Sequence, residues 1–161
     1  MKNWIRFAAL SCAIATVACS PVAAGTKAPA PAAEVHATSG LRIIPLTVTT
    51  ASGKHVFRVE VADTPASQEQ GLMFRTAMGA DEGMIFPWNP PARTAFWMKN
   101  TVISLDIIFV GPDHKVLNIA ANAVPYDQTP LPSAGPVSGV LELNAGRAAE
   151  IGLKSGDLVT W

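Results

Sequence analysis

The sequence predicts an α+β domain that is mostly β: a compact, barrel-like antiparallel or mixed sheet of about seven short strands with two small helices. Three observations carry this. Apolar residues alternate with polar ones over several runs of five to eight residues. Thirteen prolines and twelve glycines break the chain into short pieces. Two brief segments carry helix-capping residues at both ends.

Ile44, Leu46 and Val48 alternate with Thr47 and Thr49, giving a half-buried strand. Phe57, Val59 and Val61 alternate with Arg58 and Glu60 after the Ser52-Gly53-Lys54 turn, so the two runs form a hairpin. Thr64 is the N-cap and Pro65 the first residue of a helix that ends near Gly71. Met84-Ile85-Phe86 is a short strand stopped by Pro87, and residues 94–98 form the next. Strands over 105–110, 116–121 and 137–143 follow. Asn144 caps a second helix carrying Ala145, Ala148 and Ile151 on one face. Gly152 ends it, with Leu153 placed for a Schellman contact. The Ser155-Gly156 turn leads into a last strand, 158–161. Residues 123–136, with four prolines, read as a long loop of the kind that carries function.

Length and composition set the outer limits. The 161 residues suit one domain, and 49% hydrophobic with 15% charged residues exclude a disordered chain. Lys2 and Arg6 precede a charge-free run, Phe7 to Ala18, the pattern of an export signal over residues 1–19. Val17-Ala18-Cys19 resembles the end of a lipobox, which makes Cys19 the lipidation site and tethers the exported, periplasmic protein to a membrane. Thr16 departs from that pattern, and cleavage after Val22-Ala23-Ala24 is the alternative. Residues 20–39 are an Ala/Pro-rich linker, and 40–161 form the domain. Loss of Lys2 and Arg6 leaves ten bases against twelve acids, a net charge of −2, which argues against a nucleic-acid partner. Both cysteines, Cys12 and Cys19, lie in the leader, so the domain has no disulfide or thiolate site. A monomer is expected.

The chain has no phosphate loop, no nucleophile elbow and no metal-spaced histidines, and no cofactor is implied. Two carboxylates interrupt apolar strands instead: Asp106 in Leu105-Asp106-Ile107 and Glu142 in Leu141-Glu142-Leu143. A buried carboxylate needs a cation or several donors. For Asp106 the candidates are Arg75, Lys99 and the groups around Asn100 and Thr101. For Glu142 they are Arg75 and Arg147, unless it faces solvent from an edge strand. Arg75 emerges from the apolar Leu72-Met73-Phe74, and an internal salt bridge is its expected role. Met73, Met84, Met98, Trp88 and Trp97 read as core first and as a ligand wall second.

Gly71-Leu72-Met73-Phe74-Arg75, Gly83-Met84-Ile85-Phe86, Phe96-Trp97-Met98-Lys99-Asn100-Thr101, Leu105-Asp106-Ile107-Ile108-Phe109 and Val140-Leu141-Glu142-Leu143-Asn144-Ala145-Gly146 occur in that order. Together they resemble the domain of unknown function 192 family over residues 43–161. That resemblance implies a β-rich domain, often exported or lipid-anchored in bacteria, and carries over no catalytic residue. Ser67-Gln68-Glu69-Gln70 departs from the family's usual Glu-Arg ahead of Gly-Leu-Met.

Two functions follow. The first is a binding or accessory module of the cell envelope, taking a small-molecule or envelope ligand through Arg75, Trp97, Lys99, Asn100, Thr101 and Tyr126. The second is a hydrolase or lyase acting on an envelope carbohydrate or peptide, with Asp106 and Glu142 as acid and base. The spacing of the two carboxyl groups across a cleft separates them.

Overall fold

The structure, a computed structural model, describes residues 34–161. The strands are β1 (Ile43–Thr50), β2 (Gly53–Val61), β3 (Glu82–Ala92), β4 (Ala95–Phe96), β5 (Leu105–Val110), β6 (Val116–Ala123), β7 (Leu131–Pro132), β8 (Val137–Asn144) and β9 (Leu158–Thr160), with helices α1 (Pro65–Gln70) and α2 (Arg147–Glu150). Seven strands make one mixed sheet in the order β6-β5-β8-β3-β2-β1-β9, and β4 pairs with β7 alone. All neighbours run antiparallel except β2 and β3, which are joined through α1. The edge strands approach where Lys115 and Leu158 form an isolated bridge, but no ladder continues it, so the sheet is not closed into a barrel.

Local chemistry explains the elements that match the sequence. β1 and β2 pair from Ile43–Glu60 to Thr50–Gly53 around the Gly53 turn. Thr64 and Ser67 cap each other's backbone at the start of α1, which Pro65 opens. At the end of α2 the Gly152 amide bonds the Ala149 carbonyl and the Leu153 amide bonds that of Ala148, a Schellman motif that Gly152 accommodates at φ 69°. Gly146 takes the N-cap of α2 in place of Asn144 and offers no side-chain acceptor.

β3 differs most from expectation. It runs through Pro87, Pro90 and Pro91 to Ala92 instead of stopping at Pro87. The parallel ladder to β2 ends at Ile85, so beyond it β3 has only β8 as neighbour, and its register shifts between Pro87 and Ala92. A strand paired on one side only tolerates residues that donate no ladder hydrogen bond. The strand expected over residues 94–98 shrinks to Ala95–Phe96, and part of the long 123–136 loop becomes its partner β7.

Two apolar clusters cover the two faces of the sheet. One holds Leu46, Phe57, Val59, Ile85, Ile108, Leu141, Leu143 and Val159, closed by Ala148 and Ile151 around α2. The other holds Leu72, Met84, Phe86, Met98, Leu105, Ile107, Phe109 and Val140, covered by Trp88, Phe96 and Leu131. β5 and β8 are therefore buried on both faces, and every residue of β5 is buried. Such strands read as unbroken apolar runs, which makes a carboxylate in either one conspicuous.

β3 and β8 approach closely at Gly83, where an added Cβ would lie 2.5 Å from the Glu142 carbonyl oxygen and 2.9 Å from Leu143 Cδ2. Neither strand can yield without breaking ladder bonds. Gly83→Ala is therefore expected to destabilise the fold by at least ~2 kcal/mol in urea unfolding. A loss below ~0.5 kcal/mol would show that the two backbones are not in this contact.

Candidate functional site

Asp106 and Glu142 sit on neighbouring strands, yet they do not meet. Asp106 pairs with Leu143 across the β5–β8 ladder, and Glu142 pairs with Ile107. Side chains alternate along a strand, so Asp106 faces the Leu141 and Leu143 cluster while Glu142 faces the Phe86 and Phe96 side. The expected acid–base pair is corrected by this register, since the sheet itself separates the two carboxyl groups.

Asp106 is fully buried. Its Oδ1 accepts from the Asn122 amide at 2.9 Å and its Oδ2 from the Ala148 amide at 2.8 Å. Neither Arg75, Lys99 nor the 100–101 segment is its partner. Asn122 lies in a β6 irregularity at φ 54°, and Ala148 is in the first turn of α2, whose N-cap has no acceptor of its own. One carboxylate thus caps a helix and fixes a bulge, a structural role that charge-assisted bonds to backbone donors suit.

Glu142 is the opposite case. It is 5% exposed, and its Oε2 is buried with no hydrogen-bond partner among the described residues. Burial alone pushes its carboxyl from an ordinary 4.5 up to about 8, so the group is mostly protonated at neutral pH. The expected edge-strand position is overturned, because β8 lies between β5 and β3. The expected partners are engaged elsewhere: Arg147 binds Asp81 and Glu150 at 2.7 and 2.8 Å, and Arg75 binds Glu60 at 2.8 Å.

Glu142 lines a pocket of about 150 Å³ together with Gln68, Met73, Trp88, Phe96, Trp97, Lys99 and Thr101. Phe96 organises the aromatic side, with its centroid 5.0 Å from Phe86 and 6.1 Å from Trp88. Trp97 is 52% exposed, and Lys99 Nζ lies 5.6 Å from its ring centroid. Thr101 is buried and donates to the Lys99 carbonyl. Trp97, Lys99 and Thr101, all expected at a site, therefore gather around Glu142. Met73, Trp88 and Trp97 join that wall, whereas Met84 and Met98 are core. Asn100 and Tyr126 lie outside the lining. Asn100 holds the Phe74 amide through its carbonyl, and the Tyr126 amide donates to Thr101 while its ring stays exposed.

Arg75 belongs to a second cluster. Its guanidinium bonds both carboxylate oxygens of Glu60 and reaches His36 Nε2, while the Ser39 hydroxyl donates to Glu60. A groove of about 860 Å³ is lined by His36, Ser39, Phe74 and Arg75. Arg75 thus makes its expected internal salt bridge, with Glu60 as the partner. Glu60 escaped the sequence because it alternates with Val59 and Val61 like a solvent-facing residue. His36 and Ser39, assigned to the linker, pack against it. Among the described residues no group of three or more His, Cys, Asp or Glu is arranged to hold a metal ion.

Two outcomes follow from the contrasting carboxyls. Glu142 ionises near 4.5 unfolded and near 8 folded, so between these values the folded chain retains a proton that the unfolded chain has lost. Stability should fall as pH rises from about 4.5 to about 8, by on the order of 5 kcal/mol in all, and level off above. Glu142→Gln should flatten that slope in urea unfolding, and an unchanged slope would mean that Glu142 ionises normally. Asp106→Asn replaces one acceptor oxygen by a donor facing a backbone donor, and should cost about 3 kcal/mol while leaving the pocket's NMR signals in place.

Three comparisons bear on identity. A protein of unknown function from Novosphingobium aromaticivorans DSM 12444, known from a crystal structure, is similar at 64% identity and a TM-score of 0.79, covering 82% of this chain and 94% of that one. A second crystal structure, of a Sinorhizobium meliloti 1021 protein described as a candidate transcription regulator, is similar at 39% identity and a TM-score of 0.72, covering 74% and 94%. No curated protein matches. The chain matches the family described as DUF192, Uncharacterized ACR, over residues 47–161, and it belongs to that family, whose function is not established.

Proposed function

We propose that this protein is a small-ligand-binding module of the cell envelope, exported and tethered to a membrane through Cys19, and that its ligand enters the pocket over Glu142. The single observation that carries the binding reading is the unpartnered Glu142 Oε2 beneath an aromatic wall. A carboxyl kept for structure is satisfied, as Asp106 is. One left unsatisfied in a packed layer lowers stability, and such sites are retained where a ligand supplies the missing partner.

The scaffold supports this reading. Glu142 stands on a central strand with neighbours on both sides, so its position is set to within the play of a sheet. Trp97 and Lys99 stand on the short segment after β4, where a ligand has access. The envelope assignment rests on Lys2 and Arg6, the apolar run after them, Cys19 and the Ala/Pro-rich spacer. Cys19 and the leader lie outside the described residues.

Two measurements test the two halves. In an NMR screen of small polar compounds, ligand-induced shifts should centre on Trp97, Lys99 and Thr101 and weaken at least tenfold in Glu142→Gln; shifts centred elsewhere and indifferent to Glu142 would refute the pocket. Mass spectrometry of the protein from cells should find an N-terminal Cys19 carrying a diacylglycerol adduct, whereas an unmodified N-terminus at Gly25 would refute the tether.

A further inference from the structure

We propose that the pocket over Glu142 takes the head group of an organic cation, a primary or methylated ammonium, with the Glu142 carboxylate as counter-ion and Trp88, Phe96 and Trp97 as its aromatic surround. This inference rests on the pocket being a ligand site and names the chemistry it selects.

Size comes first. A cavity of about 150 Å³ has room for a trimethylammonium or shorter alkylammonium group. Charge comes second. Glu142 and Glu69 line the pocket against the single cation Lys99, so the lining is acidic once Glu142 ionises. With Glu142 ionised, an anion would meet two carboxylates there. The guanidinium groups of Arg75 and Arg147 are already bound to other acids, so neither is free to neutralise Glu142.

Shape comes third. The Trp88 and Phe96 rings are tilted 53° to each other at 6.1 Å, and Trp97 lines the same space. Non-parallel aromatic rings with one acid make the surround that binds ammonium groups in preference to neutral ones of equal size. The wall already holds such a group, since Lys99 Nζ lies over the Trp97 ring at 5.6 Å and makes no ion pair among the described residues. An incoming cation gains the same contact and also the buried carboxylate.

Protons should leave as the cation enters. The charged groups facing the site are Glu142 from β8, Glu69 from α1 and Lys99 from the segment after β4. Burial displaces the ionisation of Glu142 toward neutrality. A quaternary ammonium carries no titratable proton of its own, so the pH profile of its binding reports the protein's groups, and its loss in Glu142→Gln assigns it to Glu142.

The test titrates tetramethylammonium, choline and the neutral choline isostere 3,3-dimethyl-1-butanol into the full chain, followed by NMR of Trp97 and Lys99 at pH 6, 7, 8 and 9. Both cations should bind, with affinity rising up to tenfold per pH unit from 6 and levelling above about 8. The isostere should not bind, and Glu142→Gln should weaken the cations at least tenfold and abolish their pH dependence. Trp97→Leu, at an exposed position that leaves the fold intact, should also weaken them. Choline binding matched by phosphatidylcholine vesicles but not phosphatidylglycerol vesicles identifies a lipid head group as the source; choline binding without vesicle binding identifies a soluble ion. Equal binding of isostere and cations overturns the inference and leaves the pocket reading standing. Silence toward the cations with shifts from neutral or anionic compounds at Trp97 does the same, and silence toward every compound overturns both.

Discussion

β5 and β8 are covered on both faces, and the rest of the molecule is arranged around that constraint. Most of both strands is shielded from water, so a polar side chain buried in them must find its partner within the protein or go without. Asp106 finds two backbone amides, and in doing so joins β6 and α2 to the centre of the sheet. Glu142, one strand away and on the other face, finds none for its Oε2. Two acids in the same apolar layer are thus assigned opposite roles by the pleat, which turns adjacent residues to opposite sides.

Where local chemistry decides, the sequence was readable. The β1–β2 hairpin, the Thr64 and Pro65 start of α1 and the Gly152 end of α2 each depend on residues within a turn of one another. Where distant partners decide, it was not. Pro87 looks like a terminator until the parallel ladder to β2 is known to end at Ile85, after which β3 has one pairing side to spare. β4 and β7 exist only because each meets the other across about 35 residues of chain. The two-sided burial of β8 overturned the edge position of Glu142, and the cover contributed by residues 36–39 made Glu60 a buried partner for Arg75.

The candidate site shows the same division. Trp97, Lys99, Thr101 and Glu142 were legible as unusual residues, yet periodicity did not place Glu142 beneath the other three. Phe96 and Gln68 were missed as site residues, and Trp88 was read as core before ligand wall, because nothing in an aromatic or amide beside a proline-rich loop distinguishes a wall from a core. Their gathering depends on β3 continuing through its prolines, which carries Trp88 to the pocket beside Phe96. Rigid strands hold the acid while a short connecting segment holds the exposed indole and ammonium, a combination that fixes one side of a site and leaves the other accessible.

Everything drawn from the pocket depends on Glu142 being an uncharged, unsatisfied acid at neutral pH, a state that lowers stability. The most direct measurement is a pH titration of its side-chain carboxyl carbon by 13C NMR in the folded protein. A midpoint near 8 is expected from its burial. A midpoint near 4.5 would mean that Glu142 is solvated or paired in solution, and would contradict both the buried geometry and the binding role drawn from it.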